Sequence, residues 1–310
     1  MPNAPLVRIG TRASKLALAQ AGMMQRAIAA ALGADPADAE AVAPLIHITT
    51  TGDRSQDKPT LEIGGKGVWT KEIEDALLGG RIDCAVHSLK DMPTEQPPGL
   101  VIGAIPERED PRDMFISHKA PALAALPQGA SLGVAGLRRE AQSRHGRPDL
   151  RVVLLRGNVD TRLAKLEAGV ADAIILAMAG LNRLGLTSLP GGPLDPAANP
   201  PAPGQGALAI EVREDRLGEP WLAALRHRPS ELAVTAERSA LAALEGSCKT
   251  AIGAHAVLDG ARLRLIVEAL TPDGSRRFRQ EGEAAAEAAA DLGRRLGDAV
   301  RAAGGAALEL

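Results

Sequence analysis

Short apolar runs alternate with longer helical patterns along most of this chain, and that alternation restricts its fold more than any other feature. Residues 6–9 read as a strand and 14–32 as a helix stopped by Gly33, a usual residue just past a helix end. Residues 45–50 are rich in β-branched side chains, 68–78 are helical with the stop Gly79-Gly80, and 82–86 are again strand-like. This rhythm means βαβ units around a mostly parallel sheet. A second set follows the charged turn 107–113, with strands at 131–134, 151–154 and 173–176 between helices at 137–144, 158–168 and 177–184. The stretch 190–203, rich in Pro, Gly and Ala, reads as a connector without regular structure, and 206–212 is strand-like. The last third holds a helix at 230–245, strands at 252–258 and 262–270, and an Ala-rich helix at 284–302. Asp259-Gly260 between the two strands tolerates the positive φ of a tight hairpin.

The expected architecture is therefore α/β: two domains of similar size with mostly parallel sheets, and a small α+β C-terminal domain. With 310 residues, of which 45% are hydrophobic, two or three cores are affordable. They must be aliphatic, because the chain has 2 Trp, 2 Phe and no Tyr. Base-stacking platforms need aromatic rings, and the net charge is −2, so nucleic acid is not an expected partner. No apolar run approaches the ~18 residues of a membrane span. The N-terminus lacks the basic start, apolar middle and cleavage site of a secretory signal. Two cysteines are too few for a disulfide framework or a cysteine zinc site, and none of the 6 His is paired at metal-ligand spacing. A cytoplasmic protein without a metal is expected.

Basic residues recur where strands meet loops: Arg8, Arg12, Lys66, Lys90, Arg138, Arg139, Arg156, Arg162 and Arg183. In open α/β sheets ligands sit beyond the carboxyl ends of the strands, and Arg grips carboxylate or phosphate bidentately. Any one of these is readily a solvated surface charge; the constellation points to a polyanion. Gly64-Gly65-Lys66-Gly67 lacks the spacing of a phosphate-binding P-loop, which leaves an ordinary turn or a loop presenting Lys66 to an anion. His87-Ser88-Leu89-Lys90-Asp91 follows a strand, so Asp91 is either half of an ion pair with Lys90 or a carboxylate that moves protons. His87 reads as a packed, hydrogen-bonded residue. Cys84 lies mid-strand as inert core, whereas Cys248, in a turn beside Lys249, is either an idle surface thiol or a nucleophile.

These segments together resemble the hydroxymethylbilane synthase (porphobilinogen deaminase) family of tetrapyrrole and heme biosynthesis. The matching residues are Ile9-Gly10-Thr11-Arg12, Gly64-Gly65-Lys66-Gly67, His87-Ser88-Leu89-Lys90-Asp91, Leu137-Arg138-Arg139 and Leu155-Arg156-Gly157-Asn158-Val159. Glu107 to Asp113, Thr161-Arg162-Leu163, Gly204-Gln205-Gly206, Ala236-Glu237-Arg238 and Gly246-Ser247-Cys248 belong to the same series. The resemblance implies two type II periplasmic-binding-protein-like domains around a cleft: 1–106 with 204–222, and 107–203. A third domain, 223–310, carries the anchoring cysteine. It implies a monomeric transferase that joins four porphobilinogen molecules head to tail, releasing ammonia each time, and frees hydroxymethylbilane by hydrolysis. The growing chain is anchored to one covalent dipyrromethane cofactor, here through a thioether to Cys248. On the same resemblance Asp91 is catalytic, stabilising cationic pyrrole nitrogens and passing protons. Ser88, Lys90, Gly136, Arg138, Arg139 and Arg156 bind the cofactor, and Arg12, Lys66, Arg162 and Arg183 bind substrate carboxylates.

Three departures stand out. Val134-Ala135-Gly136 replaces a usual Thr-Ser-Ser or Thr-Ala-Ser, so restoring hydroxyls by Val134→Thr with Gly136→Ser is expected to tighten the hold on the cofactor. Glu62 stands where some members have Lys, and Ala251 replaces a usual Pro. The rival readings are a member that loads cofactor poorly and a non-catalytic anion-binding protein of the same fold.

Overall fold

A computed structural model describes residues 7–54, 66–244 and 250–308 of the chain. In chain order the strands are β1 (Ile9–Thr11), β2 (Leu45–His47), β3 (Cys84–Ser88), β4 (Leu100–Ala104), β5 (Asp113–Ile116), β6 (Ser131–Val134) and β7 (Arg151–Leu154). They continue with β8 (Ala173–Ala177), β9 (Gly191–Pro193), β10 (Leu208–Arg213), β11 (Ala251–Asp259), β12 (Arg262–Leu270) and β13 (Arg277–Ala285). Among the described residues they build three sheets, ordered β2-β1-β3-β10-β4, β7-β6-β8-β5-β9 and β11-β12-β13.

The first two sheets share one plan. In the first, β1 pairs parallel with β2 and β3, and β10 inserts antiparallel between β3 and β4. In the second, β6 pairs parallel with β7 and β8, and β5 inserts antiparallel between β8 and β9. Central strands covered on both faces must be apolar on both, which explains the continuous Cys84-Ala85-Val86 run. Cys84 and Val86 join the core under the helix Lys15–Ala31, while Ala85 joins the one under the helix Lys71–Leu78. The first of these helices starts where Ser14 Oγ accepts from the Ala17 amide at 3.2 Å.

The third sheet is an antiparallel meander whose β11–β12 turn uses Gly260 at φ 57°. One face packs against the helices Arg228–Leu244 and Ala289–Gly304 through Leu265, Val267, Leu292 and Leu296. Those two helices approach closely: a Cβ on Gly293 would stand 2.1 Å from the Ala236 carbonyl oxygen.

The contacts divide the chain into two compact units, Met1–Arg108 with Ala207–Glu231, and Glu109–Gly206 with Leu232–Leu310. Among the described residues no helix is long and apolar enough to cross a membrane.

Several elements differ from the sequence expectation. The first strand is Ile9–Thr11, because Arg8 is taken up by Asp83, whose carboxylate accepts from the Arg8 amide at 2.9 Å and from its Nε at 2.8 Å. The connector 190–203 contains β9, a three-residue edge strand where a proline costs no ladder hydrogen bond to a further strand. The Ala-rich helix begins at Ala289; Ala284 and Ala285 complete β13 opposite Leu263 and Arg262, since alanine fits a strand face that needs little volume.

Candidate active site

Because β1, β2 and β3 are mutually parallel, their carboxyl ends share one edge of the first sheet. Ser88 closes β3, and its hydroxyl accepts from Gln20 Nε2 at 3.0 Å. The following 3₁₀ turn, Leu89–Asp91, buries Leu89 and leaves Lys90 and Asp91 half-buried. None of the described residues hydrogen-bonds or ion-pairs with the Asp91 carboxylate. Behind Ser88, His87 Nε2 lies 3.0 Å from Glu211 Oε2 on β10, and both side chains are buried. His87 is thus packed and hydrogen-bonded, as its place in the strand suggests. Burial, and the negative charge of Glu211 beside it, push the nearby Glu74 carboxyl upward.

Arg12 follows β1 and is held on two sides. Its Nε donates to Asp53 at 3.1 Å, its Nη2 pairs with the same carboxylate, and its guanidinium lies 4.2 Å from the centre of the Trp69 ring. Burial of Asp53 opposes its ionisation, but the hydrogen bonds from Arg12 and Thr50 override burial and hold it below the usual carboxylate range.

The second sheet repeats the arrangement, with β6, β7 and β8 parallel and their carboxyl ends on one edge. After β6, Gly136 caps the helix Leu137–Gly146, which carries Arg138 and Arg139 in its first turn. A Cβ on Gly136 would meet nothing within 4 Å, so the missing hydroxyl belongs to an open position. Val134 is different: it is 3% exposed in the core around Phe115 and Leu132. A threonine there would bury a hydroxyl at a cost of about 1–3 kcal/mol, so the expected benefit of Val134→Thr is withdrawn.

Arg156 follows β7, and its carbonyl accepts from Lys165 Nζ at 3.0 Å. Arg162 folds back to donate from Nε to the Gly157 carbonyl at 2.8 Å, and Asn158 caps its helix, Val159–Glu167, by accepting from the Thr161 amide. Arg183 ends the helix after β8 and donates from Nη2 to the Gly206 carbonyl at 2.7 Å. Arg183 Nε is buried without a hydrogen-bond partner among the described residues, and burial lowers the pKa of the guanidinium.

The structure therefore places Arg12, Ser88, Lys90 and Asp91 along one sheet edge, and Gly136, Arg138, Arg139, Arg156 and Arg183 along the corresponding edge of the other. Arg162 sits one turn into the helix beyond β7. Cys248, the side chain of Lys66 and the Gly64-Gly65 pair lie outside the described residues. Cys84 is fully buried, and burial pushes its thiol pKa up, as suits an inert core residue. Sequence reasoning missed Gln20, Asp53, Trp69, Asp113 and Gln205, the side chains that hold the predicted ones. Of these, Asp113, at the end of the charged turn 107–113, and Gln205, inside Gly204-Gln205-Gly206, belong to segments the sequence singles out, though without a role for either side chain.

Two sheets of one plan, with an inserted antiparallel strand and polar or basic side chains where the parallel strands end, define an α/β protein with two related sheets. Residues 7–218 match the family model described as porphobilinogen deaminase, dipyromethane cofactor binding domain, and 231–302 match its C-terminal domain. A porphobilinogen deaminase of Caulobacter sp. (strain K31) is 65% identical over 311 residues, covering 98% of each chain. One from Caulobacter vibrioides (strain NA1000 / CB15N) is 63% identical over 320 residues, covering 100% of this chain and 99% of its own. Among solved structures, the methionine-binding protein MetQ is 14% identical with a TM-score of 0.44, over 71% of this chain and 89% of its own. The chain belongs to the porphobilinogen deaminase family, transferases that condense porphobilinogen on a dipyrromethane cofactor with release of ammonia. The donor set fits that cofactor, whose two rings carry four carboxylates. Five arginines follow the strands of the second sheet, and the buried, unpartnered Arg183 Nε suits an anion.

Proposed function

We propose that Asp91 is the catalytic carboxylate of this transferase and that Cys248 anchors its cofactor. The observation that carries the reading is Asp91 itself: a half-buried carboxylate at a strand exit, next to Lys90, that no described residue engages. Asp91 faces the positive charge that develops on a pyrrole nitrogen and passes its proton, while Ser88 and Lys90 hold carboxylates beside it. Arg138, Arg139, Arg156 and the Gly136 amide bind cofactor carboxylates; Arg12, Arg162, Arg183 and Lys66 bind those of incoming substrate. When bound, the cofactor supplies the nucleophilic pyrrole carbon on which the product grows. On this reading the chain divides into three domains, 1–106 with 204–222, 107–203 and 223–310. The enzyme works as a cytoplasmic monomer that does not bind nucleic acid, consistent with its net charge of −2.

Intact mass tests the anchor. Purified protein is expected to carry a covalent excess of two pyrrole units that Cys248→Ala lacks. An unmodified mass that persists after incubation with porphobilinogen would leave a member unable to load its cofactor.

A further inference from the structure

We propose that Asp113 is the positioning residue that sets Arg138 and Arg139 for carboxylate binding, and that Gln205 holds Asp113 in place. The proposal rests on the cofactor reading above. Arg138 and Arg139 occupy the first turn of the helix Leu137–Gly146. That is the wrong end for cations, because the unpaired amides there carry positive charge, and two adjacent guanidinium groups repel each other as well. Local preference violated in this way marks a functional position when something nearby compensates.

Asp113 compensates. It begins β5, its side chain is 1% exposed, its Oδ2 forms an ion pair with Arg138 Nη1 at 2.8 Å, and its Oδ1 accepts a hydrogen bond from Arg139 Nη2 at 2.8 Å. Burial opposes its ionisation, but the two guanidinium charges override burial and drive its pKa far down, so the carboxylate stays ionised. One negative charge between two positive ones leaves the trio with a net single positive charge, enough to hold one carboxylate of a ligand. The two arginines are not equivalent. Arg138 also donates to Gln142 Oε1 at 2.9 Å and to the Pro200 carbonyl at 3.2 Å, which commits it to the interior. Gln142 in turn donates to the buried Glu268 of β12 at 2.7 Å. Arg139 has the Asp113 contacts and a longer one to Gln205 Oε1 at 3.4 Å, which leaves it more donors for a ligand than Arg138 has.

Gln205 fixes the height of Asp113. Its Nε2 donates to Asp113 Oδ1 and to the Pro111 carbonyl, both at 2.8 Å. It is itself locked between Gly204, whose amide donates to Glu237 at 2.8 Å, and Gly206 at φ 87°, where a Cβ would strike the Glu109 carbonyl oxygen at 2.3 Å.

The test follows cofactor acquisition rather than turnover. Wild type, Asp113→Asn, Asp113→Glu and Gln205→Ala are purified, and the fraction of chains with the two-pyrrole mass excess is measured at once and then during incubation with porphobilinogen below each melting temperature. Asp113→Asn is expected to acquire the excess about 10-fold more slowly than unloaded wild type, with Asp113→Glu recovering most of the rate. Gln205→Ala is expected to slow it about 3-fold, since the Asp113 charge and its two arginines remain and only their support is lost. Asp113→Asn loading at the wild-type rate would overturn the proposal. If that variant shows no cooperative melt, wild-type loading by Gln205→Ala overturns it instead. A wild type that never gains the excess removes the cofactor reading and the proposal with it, which separates the two failures.

Discussion

Asp91 differs from the other carboxylates at the strand exits in what surrounds it. Asp53 is held by Arg12 and Thr50, and Asp113 by two arginines and Gln205, so both are spent on positioning cations. No described residue engages Asp91, so its lone pairs remain for a pyrrole N–H or a transferred proton. The Asp91→Asn side chain has the same shape and lacks the negative charge, so the fold is expected to keep its melting temperature. Turnover is expected to fall about 10²–10⁴-fold, the usual range for a positioned acid or base. Steady-state ammonia release with thermal melting of the same sample checks both halves; a variant turning over at the wild-type rate takes Asp91 out of the mechanism. The site residues were legible in the sequence because they recur within about two helical turns after apolar runs. Their holders were not, because Asp113 and Gln205 are 92 positions apart and nothing local announces the pairing.

At the scale of elements, the first sheet is fastened at the edge opposite its site. Asp83, just before β3, accepts from the Arg8 amide at 2.9 Å and from Arg8 Nη2 at 3.1 Å just before β1, and it pairs with Arg216 just past β10. One carboxylate thus ties three adjacent strands of the β1-β3-β10 run. Burial opposes its ionisation, but the Arg8 hydrogen bonds and the charge of Arg216 override burial and lower its pKa from 3.8. A carboxyl with a depressed folded-state pKa contributes stability that is present above 3.8 and is lost as pH falls through the folded value. Asp83→Asn is therefore expected to cost about 2 kcal/mol at pH 7, with kcat unchanged because the site lies at the other strand ends. Urea midpoints at descending pH check the sign: the gap between wild type and variant should narrow below pH 3.8 and not above it. The parallel strands were readable from their apolar runs. The inserted β5 and the edge strands β4 and β9 were not, because each takes its place from pairing with a strand distant in the chain, and β13, paired with its neighbour β12, carries charged and polar residues in place of an apolar run.

The whole molecule carries a net charge of −2, yet it concentrates arginine and lysine where two sets of parallel strands end. A protein that attracts anions through its overall charge needs a surplus of basic residues; this one relies on where they stand. That distribution was visible in the sequence as basic residues recurring after strands, whereas the shared plan of the two sheets became visible only through strand order, since their sequences show no repeat. The arrangement suits a ligand that grows more anionic with every addition, because each porphobilinogen ring brings two carboxylates while its ammonium leaves as ammonia. Half-buried arginines act on such a ligand partly at long range, where salt screens them, and the Debye length shrinks from about 10 Å at 0.1 M to about 3 Å at 1 M. Proton transfer at the proposed catalytic Asp91 would act at hydrogen-bond range, where salt screens little. Raising sodium chloride from about 0.1 M to about 1 M is therefore expected to increase KM for porphobilinogen about 3–10-fold while kcat changes less than about 2-fold. Initial rates across a substrate range at each salt concentration separate the two parameters. If kcat falls with KM constant, the basic strand ends do not recruit substrate through their charge, and their role is confined to holding what is already covalently bound.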